Sequence, residues 1–201
     1  MQPVEPDVMT SRVVGIEDLT VIRNLETALE EEMKNCAAYK AYATSADDEG
    51  LPGLASLFRA MAEAEQIHAG NHARVLRHLG GSPAVSVPRP RVERAIENLK
   101  SVLVDQRFEV DYLYPAFLTS AVSLFDSTAM RSFHWALEAD KSHARLCSEI
   151  VPRLNSDEGA RWALEPHDFY VCGLCGYAAE NPAEENCPAC NYLREKFEKI
   201  R

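Results

Sequence analysis

The stretch Ser82-Pro83-Ala84-Val85-Ser86-Val87-Pro88-Arg89-Pro90 separates two long runs of helical pattern and cannot itself be helix. Its three prolines remove backbone donors and fix φ. About eleven extended residues reach roughly 36 Å, close to the roughly 39 Å of a helix of about 26 residues. A connection of that reach returns along the whole preceding helix, so the next helix starts parallel to it.

The flanking sequence supplies the helices. The first begins near Ile16-Glu17-Asp18 and carries Leu25, Leu29, Met33, Cys36 and Tyr39 at helical spacing. Gly and Pro in Asp47-Asp48-Glu49-Gly50-Leu51-Pro52-Gly53 stop it. A second runs from about Leu54 to Leu79 and ends at Gly80-Gly81. Beyond the crossover a third runs from about Val92 to Leu124, and Asp126 or Ser127 caps a fourth that reaches about Leu154. The pattern predicts a mainly α chain, with residues 1–154 as a four-helix bundle with one long crossover, the ferritin-like variant. A polar linker occupies 155–166. The last piece, 167–201, is too short to fold on an apolar core alone and needs a staple.

The chain has 201 residues, 46% of them hydrophobic, enough for one buried core and a small appendage. A net charge of −10 argues against nucleic acid as a partner. No apolar run reaches membrane-spanning length. The opening MQPVEPDVMTSRVVGI has neither the basic start nor the apolar centre of a secretory signal. Four of the six cysteines form two Cys-x-x-Cys pairs, Cys172 with Cys175 and Cys187 with Cys190. In an intracellular chain that pattern favours metal or redox use over disulfides, so a cytoplasmic location is expected. Four thiolates at this spacing take iron or zinc, and they supply the staple.

Two helices repeat one pattern: Glu65-Gln66-Ile67-His68-Ala69 on the second and Asp140-Lys141-Ser142-His143-Ala144 on the fourth. At i,i+3 the carboxylate and the imidazole share a helix face and reach one ion. A lone Glu-x-x-His is most simply a surface pair. Two in one bundle are the arrangement of di-iron carboxylate proteins, completed by a Glu from each remaining helix. Hairpin symmetry locates those two. At helical rise, counting about sixteen residues back from the turn at Asp48-Glu49 gives Glu32 opposite Glu65. The same count from Leu124-Phe125 gives Glu109 opposite Asp140. Leu25, Leu29 and Cys36 put Glu32 on an apolar stripe. Four carboxylates buried in one layer repel prohibitively without cations, and two divalent irons match their charge.

These residues carry a resemblance to the rubrerythrin and nigerythrin family over nearly the whole chain. It rests on Asn24-Leu25 with Glu32 and Tyr39, Glu65-x-x-His68-Ala69, Asn98-Leu99 with Glu109, Leu113-Tyr114-Pro115 and Asp140-x-x-His143-Ala144. To these the C-terminal clip adds Cys175-Gly176-Tyr177 and Cys187-Pro188-x-Cys190, which resemble the two knuckles of rubredoxin. The resemblance implies a ferritin-like di-iron bundle, then a small β-rich rubredoxin-like domain, in a peroxidase that reduces hydrogen peroxide to water. It implies Glu32 as a terminal ligand, Glu65 as a bridge and His143 on the second iron. His68 would replace Glu109 on one iron when the site is reduced, and Tyr39 and Tyr114 would orient carboxylates. Cys172, Cys175, Cys187 and Cys190 would hold one iron. Gly173 and Gly176 would turn backbone N–H groups towards sulfur, and Asn191 takes the place of the usual Gly after Cys190. Electrons would come from a rubredoxin or an NAD(P)H-dependent reductase. Two chains would pair head to tail, bringing the one-iron centre of one chain to the di-iron site of the other.

Two positions depart from the family pattern. Gln106 stands where the family has a Glu three residues before Glu109, and Asp140, one methylene shorter, stands where it has a bridging Glu. A neutral amide oxygen is a weak ligand for Fe³⁺, so the second iron is expected to be held less tightly. Ferroxidase-type iron binding and a catalytically degenerate redox sensor are the alternative functions. The clip argues against storage, which needs no dedicated electron input. Elsewhere simpler readings suffice. Cys36 and Cys147 read as small hydrophobes on the metal-facing side. His72, His78 and His134 read as surface or packing residues, with His72 the nearest to an exception. Phe133 and Trp135 read as core, Tyr170, Tyr177 and Phe197 as a small aromatic core of the clip, and Arg194–Arg201 as a solvated tail.

Overall fold

The computed structural model describes residues 16–123, 126–181 and 185–201. The opening segment read for a secretory signal and the turn expected at Leu124-Phe125 lie outside them. Helix α1 (Ile16–Asp48) turns back into α2 (Pro52–His78) at Gly50, whose φ of +71° suits a residue without Cβ. Pro52 sits in the first turn of α2, where its missing N–H leaves no bond unmade. Residues 81–94 contain neither helix nor strand. The far end of this strap is tied down. The Ala95 N–H donates to Glu49 Oε1 (2.8 Å) in the α1–α2 turn, and Asn98 and Glu93 exchange two bonds of 2.9 Å. Helix α3 (Ala95–Phe108) thus begins beside the start of α2 and runs parallel to it, as the reach of the crossover requires.

The third helix is interrupted, where one helix from Val92 to Leu124 was expected. A π-helical turn, Glu109–Leu113, lies between α3 and α4 (Tyr114–Ser123), and the Tyr114 N–H closes onto Glu109 O. Such turns occur mostly as single insertions in α-helices, often at functional sites. Helix α5 (Ser127–Arg153) is capped by Asp126, whose Oδ1 accepts from the Thr128 and Ala129 N–H groups at 3.0 and 3.1 Å.

Apolar side chains form two clusters with a polar layer between them. One cluster holds Leu54, Phe58, Met61, Leu99, Val102 and Leu146; the other holds Leu25, Leu29, Leu76, Tyr114, Phe117 and Phe133. The dividing layer carries Glu32, Glu65, His68, Gln106, Glu109, Asp140 and His143, all buried. Phe58 and Phe133 are fully enclosed, and burial of each such side chain contributes roughly 2–3 kcal/mol. The polar layer is therefore clamped between two close-packed plugs.

The expected linker is partly folded. Ser156 caps a short helix α6 (Asp157–Ala163) by accepting from the Gly159 N–H at 3.1 Å. Helix α6 lies on the start of α2, so closely that a Cβ on Gly53 would come within 2.5 Å of Trp162 O. Beyond it lies a three-stranded antiparallel sheet in the order β2-β1-β3, from β1 (Phe169–Cys172), β2 (Ala178–Ala179) and β3 (Phe197–Ile200). Strand β3 corrects the reading of Arg194–Arg201 as a solvated tail, for Phe197 pairs with Cys172 and Glu198 with Val171. Strand alternation sends Phe169 and Val171, with Ala178, into the bundle core, and puts Tyr170 on the opposite face. Tyr177 and Phe197 do meet, edge to face at 6.5 Å between ring centroids. The sheet shares a core with α2 and α5 and is no loosely tethered appendage.

Candidate metal centre

Every long helix sends side chains into the dividing layer: Glu32 from α1, Glu65 and His68 from α2, Gln106 from α3, Glu109 from the π turn, and Asp140 and His143 from α5. Two donor sets converge, each with its ligand atoms within 4.8 Å of one another. They are Glu32, Glu65 and His68, and Glu65, Asp140 and His143. Glu65 belongs to both, which is the position of a bridge.

Both imidazoles are oriented from outside the layer. His68 Nε2 lies 3.0 Å from Cys175 O, and His143 Nε2 lies 3.1 Å from Gly176 O. A carbonyl only accepts, so each Nε2 carries a proton and each Nδ1 faces the site. His68 Nδ1 lies 2.9 Å from Glu65 Oε2, 3.4 Å from Glu32 Oε2 and 3.6 Å from Asp140 Oδ1. His143 Nδ1 lies 3.1 Å from Gln106 Oε1, 3.4 Å from Asp140 Oδ1 and 3.6 Å from Glu65 Oε1. Lone pairs that face lone pairs need a proton or a cation between them. Among the described residues, Glu65 Oε2 and both Asp140 oxygens find no hydrogen-bond donor, though all three are buried. Three carboxylates and two imidazole nitrogens around orphaned oxygens fit a pair of divalent ions such as iron.

Protons are the substitute when ions are absent. Against its own burial, His143 is raised to about 9 by Asp140 and Glu65. Likewise His68 is raised well above the usual imidazole value by Glu32 and Asp140. Burial pushes Asp140 up to about 7 in spite of His143 and His68. It also pushes Glu109 well above the carboxylate range, with Asp140, Glu32 and Glu65 adding to it. Glu32 goes the other way: burial raises it, but the charge and hydrogen bond of His68 hold it well below that range.

Glu109 stands apart from both donor sets. Its Oε1 accepts from Asn35 Nδ2 at 2.8 Å and its Oε2 from Gln106 Nε2 at 2.7 Å. Where the resemblance implies an exchange of Glu109 for His68, the structure has His68 inside and Glu109 held back by two amides. Gln106 Nε2 also reaches Glu65 Oε1 (3.2 Å) and Tyr39 Oη (3.4 Å), so Tyr39 touches an amide where a carboxylate was expected. Tyr114 does donate to a carboxylate, Glu32 Oε1. Beyond Glu109 a cavity of about 550 Å³ opens outward between α1, the crossover and α3, with Lys34, Asn35, Arg89 and Phe108 in its walls.

The four cysteines form the second centre. Cys172 and Cys190 Sγ lie 3.7 Å apart, and Cys175 and Cys187 Sγ 3.6 Å. A tetrahedral ion with metal–sulfur bonds of about 2.3 Å spaces its sulfurs about 3.8 Å apart. Two knuckles repeat one backbone pattern, Gly176 N–H to Cys172 O at 2.9 Å and Asn191 N–H to Cys187 O at 2.8 Å. Gly176 at φ +78° and Asn191 at φ +59° take the left-handed turn each knuckle needs, and Asn tolerates it best after Gly. Gly176 has a further reason, since a Cβ there would lie 2.4 Å from His68 Nε2.

The clip lies on the helical site of its own chain, the place where the resemblance implied the clip of a partner. Besides the two histidine contacts, Asn71 Nδ2 donates to Leu174 O (2.8 Å) and the Ala178 N–H to Ser142 Oγ (3.1 Å). Trp135, read as core, is half-buried and packs against the cysteine cluster. Cys147 rests 3.8 Å from Met61 Sδ, and burial pushes its thiol up to about 12, which leaves it inert.

Sequence reasoning missed several polar partners. His72, read as a surface or packing residue, is fully buried, its Nε2 3.1 Å from Tyr114 Oη and its Nδ1 2.8 Å from Ser132 Oγ. Its spacing of four from His68 was the available signal, and Asn35 carried a similar one, three residues after Glu32. Ser132 and Ser142 carried none, because helical serines usually bond their own backbone. His78 and His134 are exposed, as expected.

The family model for rubrerythrin matches residues 23–151. Rubrerythrin-2 of Clostridium acetobutylicum is 30% identical over 161 residues, covering 80% of this chain and 85% of that protein. Nigerythrin of Nitratidesulfovibrio vulgaris is 30% identical over 179 residues, covering 89% of this chain and 85% of its own. A structure of fully reduced, all-ferrous nigerythrin superposes with a TM-score of 0.79 at 27% identity, over 96% of this chain and 91% of that one.

Proposed function

The chain belongs to the rubrerythrin family, and from that premise we propose a non-haem di-iron peroxidase that reduces hydrogen peroxide to water, with electrons entering through the four-cysteine clip. The observation that carries this reading is the seam between the two centres. Carbonyls of Cys175 and Gly176, in the first knuckle, accept directly from His68 and His143, the imidazoles of the two donor sets. Iron storage has no use for such a seam.

Glu32, Glu65, His68, Asp140 and His143 would hold a pair of irons, and Cys172, Cys175, Cys187 and Cys190 a single one. Bound there, iron would supply the redox chemistry, two-electron capacity in the helical layer and one-electron capacity in the clip. The Nε2–H contacts keep both Nδ1 atoms turned inward as ligand atoms. Asn35 and Gln106 hold Glu109 at the inner end of the cavity, where a peroxide arriving from solvent meets its carboxyl group first. Glu109 and His68 are the pair to which we assign the ligand exchange. Gln106 Oε1 faces the second donor set as a neutral oxygen, so the second ion is held more loosely than the first.

A division into bundle (1–154), linker (155–166) and rubredoxin-like domain (167–201) belongs to the same proposal. So do a cytoplasmic location, a head-to-tail homodimer, and a rubredoxin or an NAD(P)H-dependent reductase as electron donor.

The iron-reconstituted chain, reduced until the clip absorption bleaches and then mixed with peroxide without air, tests the reading. Recovery of the absorption with two electrons consumed per peroxide supports it. Iron uptake without recovery favours storage, and a bleached spectrum that peroxide leaves unchanged rules peroxidase activity out.

A further inference from the structure

Glu32 is the inner end of a hydrogen-bonded chain that leads away from the Glu109 cavity. Tyr114 Oη donates to Glu32 Oε1, His72 Nε2 lies 3.1 Å from Tyr114 Oη, and Ser132 Oγ lies 2.8 Å from His72 Nδ1. All four side chains are buried, Ser132 being the most exposed at 4%. The first bond fixes the direction of the rest. An ionised carboxylate only accepts, so Tyr114 gives its one proton to Glu32 and its oxygen accepts from His72. His72 then carries its proton on Nε2, and its Nδ1 accepts from the Ser132 hydroxyl. Every donor points the same way, from Ser132 towards Glu32. Tyr114 and Phe133 pack against the His72 ring, with centroids 5.9 and 5.5 Å away.

At the outer end Ser132 lines a small cleft of about 160 Å³ between α2 and α5, together with Asn71, Arg74, Thr128, Arg131 and Trp135. That volume admits water. The cleft and the Glu109 cavity share no lining residue.

We propose that Ser132, His72 and Tyr114 form a proton inlet that carries solvent protons to the Glu32 edge of the metal site, apart from the route by which peroxide enters. The inlet rests on the peroxidase reading, in which one peroxide takes two electrons through the clip and two protons and leaves as two waters. For each proton delivered, Ser132 takes one from water and gives its own to His72 Nδ1. His72 gives its Nε2 proton to Tyr114, and Tyr114 gives its own to Glu32. His72 passes between its two neutral tautomers with no change of net charge, and the chain resets as the two hydroxyls and the ring reorient. His72 touches no substrate; it acts through Tyr114 and Glu32.

His72→Gln and His72→Ala separate a relay from a mere prop. Gln keeps an N–H for Tyr114 but cannot take a proton and pass one on, whereas Ala removes both functions. In the iron-loaded full chain, compared at equal metal content, both variants are expected to slow peroxide turnover about 10- to 100-fold. Added imidazole is expected to restore part of the rate in His72→Ala only. If His72→Gln matches an active wild type, His72 only positions Tyr114 and the inlet is refuted. Should His72→Gln fail to hold metal, Ser132→Val keeps His72 and removes its outer donor, and an unchanged rate in it refutes the inlet equally. Nitrogen-15 NMR of the zinc-loaded wild type reads the donor order without turnover: Nε2 protonated and Nδ1 bare supports it, and an Nδ1–H ring or an imidazolium overturns it. A wild type that consumes no peroxide refutes the peroxidase reading and the inlet together, an outcome distinct from the others.

Discussion

The metal-free chain is expected to lose stability as the pH rises from 6.5 to 9. His143 is the group to follow, since it is fully buried and raised from its ordinary 6.5 to about 9 by Asp140 and Glu65 against its own burial. A base that binds its proton more tightly folded than unfolded gives its full stabilisation below the unfolded value. It loses that stabilisation as the pH climbs through the folded one. A rise of this size corresponds to about 3 kcal/mol, which for a chain of this length lowers the melting midpoint by roughly 6–12 °C. Asp140, raised from 3.8 to about 7, acts in the same direction at lower pH, its contribution fading as the pH rises between those two values. Bound zinc reverses the slope, because ions need both Nδ1 atoms bare and the carboxylates ionised, so acid competes with them. Thermal melts followed by far-UV circular dichroism, with chelator and with zinc, measure both slopes. A midpoint that stays level in chelator, or that falls as steeply with zinc as without it, refutes the idea that protons stand in for cations here.

Other perturbations probe the layer and the seam. Gln106→Glu puts another carboxylate beside Glu65 and Glu109. It is expected to tighten the weaker zinc site about 10-fold or more by calorimetry, while lowering metal-free stability by about 1–3 kcal/mol. Gly176→Ala places a Cβ 2.4 Å from His68 Nε2 at a φ of +78°. Its backbone strain alone is about 1–2 kcal/mol in urea denaturation, and zinc retention in the helical site should fall with it. Cys187→Ser opens the four-thiolate set; the clip absorption should vanish and the Val171 and Ala178 amides should exchange faster, while the helical circular dichroism of the bundle stays.

The bundle was legible because its determinants are local. Leu25, Leu29 and Glu32 mark one face, and three prolines between residues 83 and 90 leave the crossover a single reading. The metal layer was legible because an i,i+3 carboxylate–histidine pair recurs on two helices and buried charge demands balance. What stayed hidden depends on partners distant in sequence. Strand β3 exists only through its pairing with β1, and nothing in Phe197–Ile200 alone separates strand from tail. His68 and Cys175 meet across 107 residues, and Asn35 and Glu109 across 74. Bonds of that kind leave no periodicity to read. Tyr114 was expected on a carboxylate and is there; the spacing of His72 from His68 hinted at a role, but its bonds to Tyr114 and Ser132 are visible only once α2 and α5 are packed.

The π turn has a consequence for the length of the chain. Glu109 and Tyr114 are five residues apart, and on an α-helix, at about 100° per residue, they would point about 140° apart. Closing the ladder from the Tyr114 N–H to Glu109 O stacks one over the other, so both side chains face the layer. The turn therefore absorbs one surplus residue without rotating α4 about its axis. Excising a single residue from Val110, Asp111 or Tyr112 would convert the pair to α-helical i,i+4 spacing and leave both side chains facing inward. The same excision within α3 would swing Leu99 and Val102 about 100° out of the core. This helix tolerates a deletion at one turn and nowhere near it, so chains one residue shorter at this turn remain compatible with the same layer.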